Sequence, residues 1–309
     1  MTPVEDLFKK LVLLKKERNA VILAHFYQDD DIQDVADFMG DSLALAQKAQ
    51  KTDADVILFC GVHFMAETAK ILNPSKTVLI PDIEAGCSLA DSAKPDIFRE
   101  WCKKHSDHKV ISYINCSAET KALSDVICTS SNAEKIVNSF PKDQELIFAP
   151  DKYLGSYLNK KLNKNMKLWN GSCQVHEIFS EKEIVKLKER HQKSKILAHP
   201  ECPEAILNRA DYIGSTTGII KFSSQDSSET FIVATEPGVI HQMKKISPKK
   251  NFIPAPSTDG CACNICPHMK LNTLEKMVMA LETLTPEIKM DENLRLKALK
   301  PLQKMLDLS

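Results

Sequence analysis

The apolar residues of this chain fall into short runs of three to five, rich in Val, Ile and Leu, and each run stops at a polar or turn-forming residue. Runs of that length, apolar on every position rather than on alternate ones, predict strands buried on both faces. Nine such strands are expected, at 20–24, 56–59, 77–80, 110–113, 145–148, 167–169, 195–198, 231–234 and 251–253. Between them lie stretches with helical spacing, such as LALAQKAQ after Ser42, NAEKIVNSF at 132–140, and the segments 66–72, 153–162 and 239–245. Strands that alternate with helices imply parallel sheets covered on both faces, with ligands bound beyond the carboxyl ends of the strands.

The order of signals repeats three times. A first strand ends in polar residues, His25-Phe26-Tyr27, Tyr113-Ile114-Asn115 or His199-Pro200-Glu201. A hydroxyl residue follows just before a helix, two further strands come next, and the unit closes at a cysteine, Cys87, Cys173 or one of Cys261, Cys263 and Cys266. The hydroxyls lie 17 residues after His25 (Ser42), 17 after Tyr113 (Ser130) and 16 after His199 (Ser215). Chance would not preserve that register. A charged helix after each closing cysteine, near 96–104, 181–190 and 274–281, carries the chain onward. The expected architecture is α/β: three homologous three-layer αβα sandwich units with parallel sheets around a pseudo-threefold axis. The units are placed at 18–108, 109–192 and 193–271, with an N-terminal helix at 1–17 and C-terminal helices at 272–309.

Three units around one centre bring equivalent positions together. The strand ends supply His25, Tyr27, Tyr113, Asn115, His199 and Glu201, groups suited to proton transfer and polar anchoring. Ser42, Ser130 and Ser215-Thr216, read as helix starts with the hydroxyl as cap, offer hydroxyls and free backbone N–H groups to anions. Cys87, Cys173 and a third cysteine converge as soft-metal ligands. Three thiolates suit one iron–sulfur cluster with one iron left open. The repeat does not choose among Cys261, Cys263 and Cys266, and His268 leaves open a zinc set made with those three. Cys60, Cys102, Cys116, Cys128 and Cys202 read as packing residues, and His63 with Glu67 as a solvated helix face.

Composition narrows the partners. With 41 basic and 41 acidic residues the net charge is zero, so nothing favours general binding to nucleic acid or to anionic membranes. No apolar run reaches membrane-spanning length, and the charged first helix lacks the apolar core of a signal peptide, so a cytoplasmic protein is expected. Phosphate-loop, dinucleotide-binding and nucleophile-elbow motifs are absent from the sequence.

Segments along nearly the whole chain resemble the quinolinate synthase family, the iron–sulfur enzymes of bacterial NAD biosynthesis. They are AHFYQ at 24–28, ADFMGDSLALA at 36–46, YIN at 113–115, DVICTSSNA at 125–133, NGSCQVH at 170–176, HPECP at 199–203, ADYIGSTTGI at 210–219 and CPHMKLNTL at 266–274. The resemblance implies one [4Fe-4S] cluster held by Cys87, Cys173 and Cys266. Where several family members have C-x2-C-x2-C, this chain has C-x-C-x2-C, and Cys261 and Cys263 are expected not to be ligands. It also implies condensation of iminosuccinate with dihydroxyacetone phosphate, with an aspartate-oxidising enzyme as functional partner. By matching position, His25, His199, Ser42, Ser130 and Thr216 would hold substrate carboxylates and phosphate. Tyr113 and Asn115 would orient the carbon chain, and Tyr27 and Glu201 would form the proton-transfer pair. A cluster-dependent hydro-lyase acting on another anion is the alternative chemistry.

Overall fold

A computed structural model describes residues 3–258 and 264–309. The first unit contains α1 (Pro3–Glu17), β1 (Ala20–His25), α2 (Asp30–Val35), β2 (Phe38–Gly40), α3 (Ser42–Lys51), β3 (Val56–Cys60), α4 (His63–Leu72) and β4 (Thr77–Leu79). After α5 (Ser88–Ser92) and α6 (Pro95–Lys103) come β5 (Lys109–Tyr113), α7 (Ala118–Lys121), β6 (Val126–Cys128), α8 (Ala133–Asn138), β7 (Leu146–Ala149), α9 (Lys152–Leu162) and β8 (Lys167–Leu168). After α10 (Gln174–Glu177) and α11 (Glu181–Arg190) come β9 (Lys195–Ala198), α12 (Glu204–Leu207), β10 (Tyr212–Ile213), α13 (Thr216–Gln225), β11 (Thr230–Ala234), α14 (Val239–Ile246) and β12 (Asn251–Pro254). The chain ends in α15 (Leu274–Thr283) and α16 (Glu292–Asp307).

The strands form three four-stranded sheets, ordered β2-β1-β3-β4, β6-β5-β7-β8 and β10-β9-β11-β12, and every pairing is parallel. The α/β class and the three sandwich units are therefore as expected. All nine anticipated strands are present. Three more, β2, β6 and β10, of three, three and two residues, are additional to that pattern. Each is an edge strand pinned by an aspartate at its start. Asp37, Asp125 and Asp211 each accept a hydrogen bond from a backbone amide of the neighbouring strand, Ile22, Val110 or Ile196, at 2.8 Å in all three cases. Each aspartate lies 15 residues after its partner, so the same bracket sets the same register three times.

Strand faces alternate between two covering layers. In the first sheet Leu23, Ile57 and Phe59 pack with Leu45 of α3 and Ala69 of α4. Ile22, Ala24 and Leu58 face the other way, onto Leu11 of α1 and Met277 and Leu281 of α15. In the second sheet Val110, Ile147 and Ala149 meet Phe98 of α6, and in the third Ile196 and Ile232 meet Ile184 of α11. Each helix that follows a closing cysteine thus covers the next sheet, and α15, after the last cysteine, covers the first. This return places the C-terminal cysteine loop against the N-terminal unit.

Candidate active site and metal centre

Parallel strands point all their carboxyl ends one way, so His25, Tyr113 and His199 emerge on the same side of their sheets. A single chamber collects them. It is lined by His25, Tyr27, Ser42, Cys87, Tyr113, Asn115, Ser130, Cys173, His199, Glu201, Thr216 and Cys266, together with Asp41, Gln174, His176, His268 and Met269. Of the residues anticipated from sequence, only Ser215 is not part of this lining. Its hydroxyl accepts the Gly218 amide at 3.2 Å and caps α13.

The pairings explain this. His25 sits opposite Gly40, Tyr113 opposite Cys128, and Ala198 opposite Ile213, which makes Ser42, Ser130 and Thr216 the equivalent positions. Thr216 is 17 residues after His199, so the register is 17 in all three units and Ser215 belongs one place earlier, with Asp41 and Thr129. The capping expectation is corrected too. Asp41 caps α3 through the Ala44 amide at 3.0 Å, and α8 begins at Ala133, three residues beyond Ser130. Ser42, Ser130 and Thr216 are not the caps of their helices, and all three line the chamber. Above them Asp41 Oδ2 accepts from Ser131 and Thr217 hydroxyls at 2.7 Å each, tying the three units together.

Glu201 is the hub of the polar network. Tyr113 donates its hydroxyl proton to Glu201 Oε1 at 2.5 Å, and His176 Nδ1 lies 3.3 Å from Oε2. Burial opposes charge on this carboxyl, but the facing His176 and the Tyr113 hydroxyl prevail and hold it below the ordinary carboxylate range. Tyr27 and Tyr113 are pushed well above 10 by burial and by the charge of Glu201, so both phenols keep their protons at neutral pH. Tyr27 is not hydrogen-bonded to Glu201. Its hydroxyl meets Thr235 at 2.7 Å and Thr216 at 3.1 Å.

Both strand-end histidines make the same local bond. The Tyr27 amide donates to His25 Nδ1 at 3.2 Å, and the Glu201 amide to His199 Nδ1 at 3.4 Å. An Nδ1 that accepts leaves the proton on Nε2, and His199 directs Nε2–H at Ser130 Oγ, 3.2 Å away. Burial lowers His25 to about 4 and His199 to about 3, so both are neutral N–H donors at neutral pH. Asn115 Oδ1 is buried with no hydrogen-bond partner among the described residues. The chamber thus holds donors for anions, the carboxyl groups of Glu201 and Asp41, and protonated phenols.

Cys87, Cys173 and Cys266 share this chamber, and each stands at the start of a helical turn. The amides two and three residues on, those of Leu89 and Ala90, Val175 and His176, and His268 and Met269, act on the thiols, though Cys87 and Cys173 make no capping hydrogen bond. Burial raises all three thiols, Cys87 to about 12, while these amides favour the thiolate. Such a set stays protonated when empty and is suited to ionise on a metal, the charge its donors lack. Cys173, His176 and Glu201 place one ligand atom each within 4.8 Å of one another, a grouping among the described residues that could hold a metal ion. Cys261 and Cys263 lie outside the described residues, so their expected exclusion from the ligand set, and the zinc set built on them, are not addressed by the geometry.

Sequence reasoning passed over His176, although NGSCQVH contains it, because no repeat partner marks it. Thr235 is passed over for the same reason, and Asp41 because its counterparts, Thr129 and Ser215, carry hydroxyls rather than a carboxylate. Cys60, Cys116, Cys128 and Cys202 are fully buried packing residues, as expected, and Cys102 packs beside Phe98. The reading of His63 and Glu67 needs correction. His63 is half-exposed, but Glu67 is largely buried and accepts the Ala118 amide at 3.1 Å, joining the first unit to the second. No helix among the described residues is long and apolar enough to cross a membrane.

The sequence profile of the family described as quinolinate synthetase A protein matches residues 9–307. A quinolinate synthase of Chloroherpeton thalassium is 62% identical over 305 residues, covering 98% of this chain and 95% of that protein. Quinolinate synthases of Trichodesmium erythraeum and Microcystis aeruginosa are each 60% identical, over 99% of this chain and 94% and 96% of theirs. With the match spanning every unit that contributes to the chamber, the chain belongs to the quinolinate synthetase A family of enzymes.

Proposed function

We propose that this enzyme condenses iminosuccinate with dihydroxyacetone phosphate to give quinolinate, using a [4Fe-4S] cluster held by Cys87, Cys173 and Cys266. In neutral forms C4H5NO4 and C3H7O6P give C7H5NO4, H3PO4 and two H2O, so no oxidant or reductant is required. The observation that carries the reading is that three cysteines, one from each unit, share one chamber with neutral anion donors and an acid–base set. The bound cluster would supply an open Lewis-acid position that eases loss of water.

The chain's own groups would do the rest. His25 and His199, as Nε2–H donors, and the hydroxyls of Ser42, Ser130 and Thr216 bind the carboxylates and phosphate without adding charge. Asn115, whose oxygen has no partner among the described residues, and Tyr113 orient the carbon chain. Glu201, held ionised, takes up a proton, and Tyr27, held protonated, gives one. A carboxylate kept low and a phenol kept high start in the protonation states those roles require. Glu201→Gln and Tyr27→Phe are expected to cut turnover at least about 100-fold while iron content is unchanged. Full activity in both would overturn the assignment. Thiol-held iron suits a reducing compartment, the cytoplasm, and iminosuccinate, which decays in water, calls for an aspartate-oxidising enzyme as supplier.

The deciding experiment is anaerobic purification with iron, sulfide and zinc measured and the visible spectrum recorded, for wild type, Cys266→Ala and Cys261→Ala. A brown protein with about four irons, lost in Cys266→Ala and kept in Cys261→Ala, supports the ligand set. A colourless zinc protein would sink it.

A further inference from the structure

The three cysteine loops are fastened by different means. In the first unit the His63 amide donates to the carbonyl of Ala85, two residues before Cys87, at 2.6 Å. In the second, the Lys152 amide donates to the carbonyl of Gly171, two residues before Cys173, at 2.9 Å. His63 and Lys152 are equivalent, because Ala24 pairs with Cys60 and Ser112 with Ala149, three residues earlier in each case. In the third unit Ala198 pairs with Ala234, so the equivalent residue is Pro237. Proline has no N–H, and the same tether to the 264 carbonyl cannot form.

The residue just before it does the fastening instead. Glu236 is fully buried, and its Oε1 accepts the amide of Cys266 itself at 3.4 Å. Its Oε2 accepts the Gly238 amide at 2.6 Å, where a Cβ in place of glycine would stand 2.7 Å from that oxygen. Lys270 lies 3.5 Å from Oε1, donates to the Tyr27 carbonyl at 2.9 Å, and pairs with Asp29 at 3.0 Å. The position is Val62 in the first unit, which cannot accept an amide. In the second it is Asp151, which caps α9 through the Leu154 amide at 2.6 Å and also faces the Cys173 amide, there in addition to the backbone tether rather than in its place.

We infer that Glu236, braced by Lys270, is the positioning residue for the Cys266 ligand, replacing the backbone tether that Pro237 removes. Lys270 ties the same loop to the backbone of Tyr27, so the third cysteine and the proposed acid are held by one bracket. The inference rests on the reading of Cys266 as a ligand.

The test follows iron release to a coloured chelator from anaerobically reconstituted protein, with the visible spectrum recorded and folding checked by circular dichroism. Glu236→Leu is expected to release iron at least about tenfold faster than wild type, the usual scale for losing a group that orients a ligand. Glu236→Gln keeps a carbonyl oxygen for the Cys266 amide but sets its NH2 against the Gly238 amide, so release should fall between wild type and Glu236→Leu. Adding Pro237→Ala to Glu236→Leu restores an N–H and should slow release again. Release at the wild-type rate from folded Glu236→Leu would overturn the inference. If that variant does not fold, Lys270→Met decides, with accelerated release expected and an unchanged rate refuting. A wild type that takes up no iron would count against the cluster reading instead.

Discussion

Ser215 and Thr216 are adjacent hydroxyls that the fold sends in different directions, and exchanging each for an apolar residue separates their roles. Ser215→Ala removes the cap of α13, the 3.2 Å bond from Gly218. Caps of this kind are worth about 1 kcal/mol, which in a protein of this size lowers the melting temperature by roughly 2 °C. Turnover should change little. Thr216→Val keeps the shape at the first helical position, where β-branching costs little, but takes Oγ1 out of the chamber. Tyr27 keeps its 2.7 Å contact with Thr235, so the phenol stays in place. What goes is one donor to an anion, worth about 1.5–3 kcal/mol, or roughly 10- to 100-fold in kcat/KM. Thr216→Ser should recover most of it. The assay is anaerobic quinolinate formation by reconstituted enzyme, run beside thermal melts. If Ser215→Ala lowers kcat/KM as much as Thr216→Val, or Thr216→Val turns over like wild type, the assignment of the equivalent positions is wrong.

Other consequences follow from the packing. Phe98 is fully buried against Trp101 and Trp169, with ring centroids 5.9 and 5.6 Å away, so Phe98→Ala should cost about 3–5 kcal/mol and red-shift tryptophan emission, both read in one denaturant titration. Asp211→Ala strips the bracket from the Ile196 amide and should cost about 1–2 kcal/mol by the same titration. An equal loss at Asp37→Ala and Asp125→Ala would reflect the threefold repetition of that contact. Asp34, bonded to His241 and Lys245 between α2 and α14, has its carboxyl held below 3.8 by those two hydrogen bonds against a burial effect that raises it. A lowered carboxyl stabilises the fold above the unfolded value and loses that contribution as pH falls through the folded one. Asp34→Asn should therefore cost under about 1 kcal/mol at pH 7, after solvent screening, and progressively less as the pH falls below the ordinary carboxylate range.

Much of this was written in the chain. Nine strands, the closing positions of Cys87 and Cys173, and the strand-end residues from His25 to Glu201 follow from runs, polar stops and spacing, because a strand buried on both faces needs an unbroken apolar run and a sheet presents ligands at its carboxyl ends. What spacing alone misjudged was decided by contacts distant in sequence. The edge strands β2, β6 and β10 exist because β1, β5 and β9 are there to pair with them. Ser215 and Thr216 are indistinguishable hydroxyls until the strand pairing assigns one to the helix and the other to the chamber. Glu67 looks solvated on its own helix and is buried only because α7 arrives 51 residues later. His176 and Glu236 carry no repeat signature, and their importance comes from standing beside Glu201 and Cys266. Local pattern determines which segments become strands and helices, since backbone and burial preferences act within a few residues; which side chains face one another is determined by packing across the whole chain, and here that packing makes the site.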